Sequence, residues 1–351
     1  MLNNVIVATH SFSPGTSQAL RDYLLKEGKN VLFVEHALFG NIFTWSIGAI
    51  DTLWQVIKRR KRYDLYVGSN NLNAFLGIIL NKIGFVKKVI FFTPDYSLNR
   101  FNNFILDSIY LWLDFFCLKN ADLVWNSSSI MPIDLMAIER EKRGVPKKYR
   151  QKQIPVPDGT DEVELVSSDK INRYDIVFVG HLKEGMGLDL LINVFPRICE
   201  EVPQAKLIII GSGPIEKQLR EKAKDMNIEF TGFMGELPQV YKRISKCAVA
   251  VAPYEEGTIS QYTDPGKVKL YLSVGLPMVI TNVPRVALEV EREKCGLVIN
   301  YSGAELVNAL LILLKDDYLL KAYRQNALRL ADKYRWNKVF SRALSFIEIY
   351  P

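Results

Sequence analysis

The sequence predicts an α/β protein built from two doubly wound, parallel-sheet domains that face a common cleft. Three observations predict it. Short, continuously apolar runs alternate with longer segments whose apolar residues recur at helical spacing. The alternation breaks once, at a stretch rich in Pro, Gly, Asp and Ser, and then restarts. The length, 351 residues, suits about two domains.

In the first half, NVIVAT (4–9), NVLFVE (30–35), DLYVGS (64–69), KKVIFFT (87–93) and ADLVWN (121–126) read as strands. They are apolar throughout rather than alternating, as strands covered on both faces are. Amphipathic patterns such as SQALRDYLLKEG and RFNNFILDSIYLWLDFFCLKN follow them and read as helices. The stretch IPVPDGTDEVELVSSDKINRYD (154–175) reads as a linker. Beyond it, DIVFVG (175–180), KLIIIG (206–211), IEFTG (228–232), CAVAVAPY (247–254), PMVIT (277–281) and GLVIN (296–300) read as strands, again with helices between. Two more helical patterns end the chain; no strand follows the last one, so it must pack on something already formed.

Apolar residues make up 48% of the chain, enough for large cores. No run approaches the roughly 18 apolar residues of a membrane-spanning helix. The start, MLNNVIVATH, lacks the basic region and small-residue cleavage site of a signal peptide and reads as a first strand. Cys117, Cys199, Cys247 and Cys295 show no metal-ligand or redox spacing, so a cytoplasmic protein with reduced core thiols is expected. Only three histidines are present, which leaves little room for a histidine metal site. The formal net charge is +7, and part of it lies in KRRKRYD (58–64). Such a run is the solvated end of a helix or a contact with an anionic surface. No nucleic-acid motif is present and the basic residues are not interleaved with aromatics, so an acidic-lipid bilayer is the better partner and nucleic acid is not expected.

Four strand-to-helix loops carry glycine: THSFSPGTSQ (9–18, with Gly15), VGHLKEGMGLD (179–189), GSGPIEK (211–217, with Gly213) and YTDPGKVK (262–269). Glycine lets several backbone N–H groups converge on one anion, and the helix start that follows adds its positive dipole end. In the last loop Asp264 is expected as N-cap and Pro265 as the first helical residue, with Lys267 projecting from the first turn. None of these loops is a P-loop or G-x-G-x-x-G. Each alone is equally a tight turn; three in one domain, all at strand C-termini, favour a phosphate-bearing ligand.

The second half resembles the group-one glycosyltransferases of GT-B fold. The resemblance is carried by VGHLKEGMGLDLLINVFPRICEEVPQAKLIIIGSGP, IEFTGFMGELPQVYKRISKCAVAVAPY and YLSVGLPMVIT, in that order. IPVPDGTDEVE is similar to the family's linker, and KYRWNKVFSRAL is similar to its C-terminal helix. The resemblance implies two Rossmann-like domains: an acceptor domain, 1–165, onto which helix 334–351 returns, and a nucleotide-sugar donor domain, 170–333. It implies transfer of a hexose from a UDP- or GDP-linked sugar to a glycan or lipid-linked acceptor, with no cofactor and no metal. The implied donor-binding residues are Gly15, His181, Lys183, Gly213, Phe233, Met234, Tyr262, Thr263, Asp264, Gly266 and Lys267.

The chain departs from the family pattern at its charged positions. His181 and Met186 stand where the family has Arg and Lys, and Tyr262 and Leu270 stand where it has two glutamates eight residues apart. Lys183, in the same loop, is the candidate substitute for the missing diphosphate contacts. Leu270 reads as core. These losses keep open an alternative, a catalytically degenerate subunit that binds or scaffolds.

Asp95, in FFTPDYSLNRF (91–101), follows the fourth strand and is the candidate base for the acceptor hydroxyl; the alternative is an Asp capping the next turn. As base it would accompany inversion, whereas the wider family resemblance implies retention. His10, just past the first strand, and Arg100 are candidate acceptor contacts; a turn residue and a surface arginine are the plain readings. The aromatic segment 101–120, with FLGIILNKIGF (75–85) and the basic run, hints at a lipid-facing surface, although most of these side chains are expected in the core.

Overall fold

In the computed structural model, described over residues 2–10, 15–36, 42–94, 96, 100–127, 135–261 and 264–349, the chain divides into two compact units. Unit 1 is Met1–Asp158 with Trp336–Pro351; unit 2 is Gly159–Arg335.

Unit 1 runs β1 (Asn4–Thr9), α1 (Thr16–Lys26), β2 (Asn30–Glu35), α2 (Ile42–Ile57), β3 (Tyr63–Ser69), α3 (Asn70–Lys82), β4 (Val86–Thr93), α4 (Phe104–Asn120), β5 (Leu123–Asn126), α5 (Leu135–Lys142) and β6 (Gln153–Pro155). Unit 2 runs β7 (Asn172–Val179), α6 (Leu188–Glu201), β8 (Lys206–Ile210), α7 (Glu216–Lys222), β9 (Ile228–Gly232), α8 (Leu237–Ile244), β10 (Cys247–Ala252), α9 (Gly266–Ser273), β11 (Met278–Thr281), α10 (Val286–Arg292), β12 (Gly296–Ile299), α11 (Gly303–Lys315) and α12 (Asp317–Lys333). The last helix, α13 (Trp336–Ile349), belongs to unit 1.

Each unit has one parallel six-stranded sheet, ordered β2-β1-β3-β4-β5-β6 and β12-β11-β10-β7-β8-β9. Both are doubly wound: strand order reverses between β1 and β3 in unit 1 and between β7 and β10 in unit 2. Ligands in such sheets sit outside the strand carboxyl ends at that reversal. Every strand read from the sequence is present, and β6 is additional. It pairs with β5, Val124 opposite Gln153, inside what the sequence offers as linker; three residues ending in proline carry no readable period.

The pleat of unit 1 sends Val5, Val7, Leu65, Val67, Ile90 and Phe92 to one face, where α1 and α13 cover them. Ile6, Ala8, Tyr66, Val89 and Phe91 point to the other face, under α2, α3 and α4. In unit 2, Ile176, Phe178, Leu207, Ile209, Val249 and Val251 pack with residues of α6 and α11. The two ends of unit 2 lie side by side: the Thr160 N–H donates to the Tyr334 carbonyl at 2.8 Å and its hydroxyl to the Ala331 carbonyl at 2.7 Å.

Helix α4 corrects an expectation. Its buried residues are Asp107, Tyr110, Asp114, Cys117 and Leu118, while Phe104, Ile105, Ile109, Trp112 and Phe115 are exposed. The inner face is claimed by polar partners. Asp107 accepts from the Phe101 and Asn103 amides, and Asp114 pairs with the buried Arg140 at 2.7 Å.

Candidate functional site

In unit 2, the loops after β7, β8 and β10 interlock at the reversal of strand order. The Leu182 N–H donates to the Ser212 carbonyl at 2.9 Å, Ile215 N–H to the Leu182 carbonyl at 3.2 Å, and Glu255 N–H to the Gly185 carbonyl at 3.1 Å. Gly187 caps α6 at φ 70°, and a Cβ there would overlap the Pro253 carbonyl oxygen at 1.7 Å. Only glycine lets the first loop cross the third this closely.

Helix α9 is fastened onto this edge. The Tyr271 hydroxyl accepts from Val179 N–H at 2.9 Å and lies 3.4 Å from the Val251 carbonyl, so one side chain ties α9 to the ends of β7 and β10. Its first turn sends Lys267 over the end of β7. The amino group stands 3.8 Å from the centre of the Phe178 ring, 5.1 Å from that of Tyr254 and 3.9 Å from the Met186 sulfur. Gly180 makes room for it: a Cβ there would lie 2.8 Å from Nζ. Among the described residues no carboxylate pairs with Lys267. Burial, and secondarily the Lys183 charge, lower its pKa to about 7. The aromatic faces of Phe178 and Tyr254 hold the cation.

Asp264 is not the N-cap. Pro265 occupies that position, with φ −75° and ψ 113°, and the helix starts at Gly266. The Asp264 carboxylate points inward to the Lys269 ammonium at 3.1 Å, and both side chains are buried. A buried carboxylate goes to the buried cation rather than to backbone amides already near solvent. Lys269 also lies 3.6 Å above the Tyr334 ring, and the Tyr334 hydroxyl donates to Glu289. The start of α9 is thus anchored from beneath by a chain of buried polar groups.

His181 and Lys183 are exposed on the first loop, Gly213 is half-buried on the second, and Gly266 is exposed at the start of α9. Phe233 is 76% exposed just after β9 and Met234 is half-buried; β9 lies two strands from β7, roughly 10 Å across the sheet. Leu270 is half-buried, not deep core. Tyr262 and Thr263 lie outside the described residues. Phe178, Tyr254, Tyr271 and Lys269 were not legible as site residues, because in sequence they look like strand and helix interior.

In unit 1, His10 follows β1 and is 3% exposed. Burial, then the neighbouring His36, push its pKa down to about 4, so the ring is neutral near pH 7. Asn73 donates to Nδ1 at 2.7 Å, which leaves the proton on Nε2, where no partner stands among the described residues. Gly15 is exposed and caps α1. Arg100 is exposed, with its guanidinium 5.4 Å from the Tyr110 ring. Asp95 lies outside the described residues. Thr93, two residues before it, accepts from Arg140 at 3.1 Å; Arg140 also donates to Asn126 and Gln153, each at 2.8 Å. This buried arginine joins the carboxyl ends of β4 and β5 to the first residue of β6.

Two doubly wound units, each with one parallel six-stranded sheet, are the architecture of the GT-B fold. Residues 173–316 match the family described as glycosyl transferases group 1, a match confined to unit 2. An uncharacterized glycosyltransferase of Methanocaldococcus jannaschii is 23% identical over 278 residues, 72% of this chain and 64% of that protein. A phosphatidyl-myo-inositol mannosyltransferase of Mycobacterium leprae is 23% identical over 208 residues, 56% of this chain and 53% of that protein. The chain thus spans less than two thirds of the length of these curated relatives. Among solved structures, HepE of Anabaena, in complex with UDP and glucose, superposes with a TM-score of 0.71 at 16% identity, covering 98% of this chain and 100% of that one. At that identity the likeness is one of fold.

Proposed function

We propose that this protein transfers a hexose from a nucleoside-diphosphate sugar, UDP- or GDP-linked, to a glycan or lipid-linked acceptor, without a metal. The observation that carries the reading is Lys267: a partly buried ammonium at the start of α9, held by two aromatic faces and paired with no carboxylate among the described residues. The group 1 match over the same unit and the UDP held by HepE support a nucleotide diphosphate as that anion. The mannosyltransferase relative, named for phosphatidyl-myo-inositol, supports a lipid-linked acceptor.

In this reading the bond from the anomeric carbon to the diphosphate oxygen breaks, and the acceptor oxygen bonds to that carbon. The start of α9, Lys267 and Lys183 stabilise the negative charge that develops on the diphosphate. Phe233 and Met234 lie beside the base. Asp95 accepts the proton of the acceptor hydroxyl, with His10 and Arg100 as acceptor contacts. The reaction takes place at the cytoplasmic face of an anionic membrane, with the protein peripherally bound.

Calorimetric titration with UDP and GDP, followed by turnover of the sugar nucleotide whose base binds, tests the proposal. One of the two binds at micromolar level, and Asp95→Asn retains binding while losing at least about a hundredfold in turnover, the weight of a general base. A folded protein that binds neither nucleotide overturns it.

A further inference from the structure

On the covered face of the unit 1 sheet, α2, α3 and α4 lie side by side, with α3 packed against both neighbours. Their outer surface does not look like one made for water. Ile47, Ile50, Trp54 and Ile57 of α2 are exposed, as is Ile83 just past α3. On α4 the polarity is inverted: Phe104 is 86% exposed, Ile105 67% and Trp112 58%, while Asp107 and Asp114 are buried. Water would favour the opposite orientation, so the outer side of α4 is made for an apolar medium. The acidic side chains of the three helices are Asp51, Asp107 and Asp114, and none of them is fully exposed.

Charge then selects the medium. Every residue of 58–62, KRRKR, is exposed at the end of α2, and Lys82 and Lys119 are exposed at the ends of α3 and α4. All three helices end at the same edge of the layer, because each runs back antiparallel to the parallel strands. One edge is therefore cationic, with Ile57 and Ile83 among its basic residues, and the exposed side chains of α2 and α4 before that edge are mostly apolar among the described residues. An apolar surface with a basic rim fits a bilayer carrying anionic headgroups, with apolar side chains among the acyl chains and lysine and arginine at the phosphates. No described helix is long and apolar enough to cross a membrane, so the layer lies on the bilayer.

We infer that the outer surface of α2, α3 and α4 is an anionic-membrane docking surface, and that α4 inserts its Phe104–Ile105–Ile109–Trp112 row into the acyl boundary. The inference rests on the membrane-bound reading above and names its surface. It also sets a geometry. The start of α4, where exposure peaks, lies at the strand carboxyl edge of unit 1, the edge that carries His10 and follows Thr93. A lipid-linked acceptor leaving the bilayer beside Phe104 reaches that edge without crossing water.

The test is co-sedimentation of the whole chain with vesicles of phosphatidylcholine alone or with about a third phosphatidylglycerol, together with tryptophan emission. Wild type binds the anionic vesicles, its emission shifts to the blue, and binding weakens with salt. Ile109→Ser/Trp112→Ser loses at least tenfold in vesicle affinity with unchanged circular dichroism and unchanged nucleotide titration. Lys58→Gln/Arg59→Gln/Arg60→Gln loses the preference for phosphatidylglycerol. Nucleotide binding reports unit 2 separately, so its loss would sink the transferase reading and leave the surface standing. Two results overturn the inference: no vesicle binding by wild type, or a concentration-dependent dimer that Ile109→Ser/Trp112→Ser dissolves, which would make the surface an interface between copies of the chain.

Discussion

Lys267 shows what one residue contributes. Its pKa is about 7 rather than the ordinary 10.5, because burial and Lys183 disfavour the charged form. A bound diphosphate reverses that balance and draws a proton onto the amine. Binding of UDP or GDP at pH 7.5 therefore takes up protons, up to one per site, and affinity declines as pH rises above about 7. Calorimetry in buffers of different ionisation enthalpy reads the uptake directly, and Lys267→Met abolishes both the uptake and the extra pH slope. The sign for folding follows from the same shift. Between about 7 and 10.5 the unfolded chain holds more protons at this residue than the folded one, so its contribution to stability improves as pH rises through that window. The lysine itself was legible, since it follows a Pro-Gly helix start. Its cage was not: Phe178 reads as strand core, and the amine reaches that ring only because α9 packs at the β7 end, where Gly180 leaves room for it.

At the scale of elements, the apolar runs located the strands to within a few residues, because a parallel strand buried on both faces leaves a continuous signal. Helix α4 was located, but Phe104, Ile105, Ile109, Trp112 and Phe115 are exposed where most of its apolar side chains were expected in the core. Periodicity finds a polar stripe without saying which stripe faces inward; the inward side is decided by Arg140, which waits on a different helix. This cation donates to Asp114 through two nitrogens, at 2.9 and 2.7 Å, in a fully buried setting. Arg140→Met leaves the Asp114 carboxylate uncompensated and lowers stability by about 3–5 kcal/mol. Adding Asp114→Leu recovers most of that loss. Urea unfolding of the two variants measures both, and equal destabilisation of single and double variants would show that the ion pair is not the cause.

At the scale of the whole molecule, the chain is threaded unequally. Unit 2 is one continuous stretch, 159–335, whereas unit 1 needs both ends of the sequence. Helix α13 supplies unit 1 with Val339, Phe340, Ala343 and Ile347, all buried, and Phe340 lies 5.6 Å from the Tyr23 ring. The three larger of these are worth on the order of 6 kcal/mol together, as much as the whole net stability of a typical domain. A fragment of residues 159–335 is therefore expected to unfold cooperatively by itself. Residues 1–158 are expected to lack a cooperative transition until a peptide of 336–351 is added. Thermal unfolding of both fragments checks it, and a cooperative 1–158 fragment would show that α13 is dispensable.

By itself the sequence determined the two-unit α/β architecture, nearly every strand, and the glycine loops and lysine by which unit 2 resembles the group 1 glycosyl transferases. These are local properties, written in runs, periods and turn residues that neighbours along the chain enforce. Tertiary structure alone decided that Asp264 turns inward to Lys269, that Lys267 rests on Phe178 and Tyr254, and that α4 presents its apolar row outward. Each of those outcomes depends on a partner brought close from a distant part of the chain, and a buried charge or ring takes whichever partner the fold delivers.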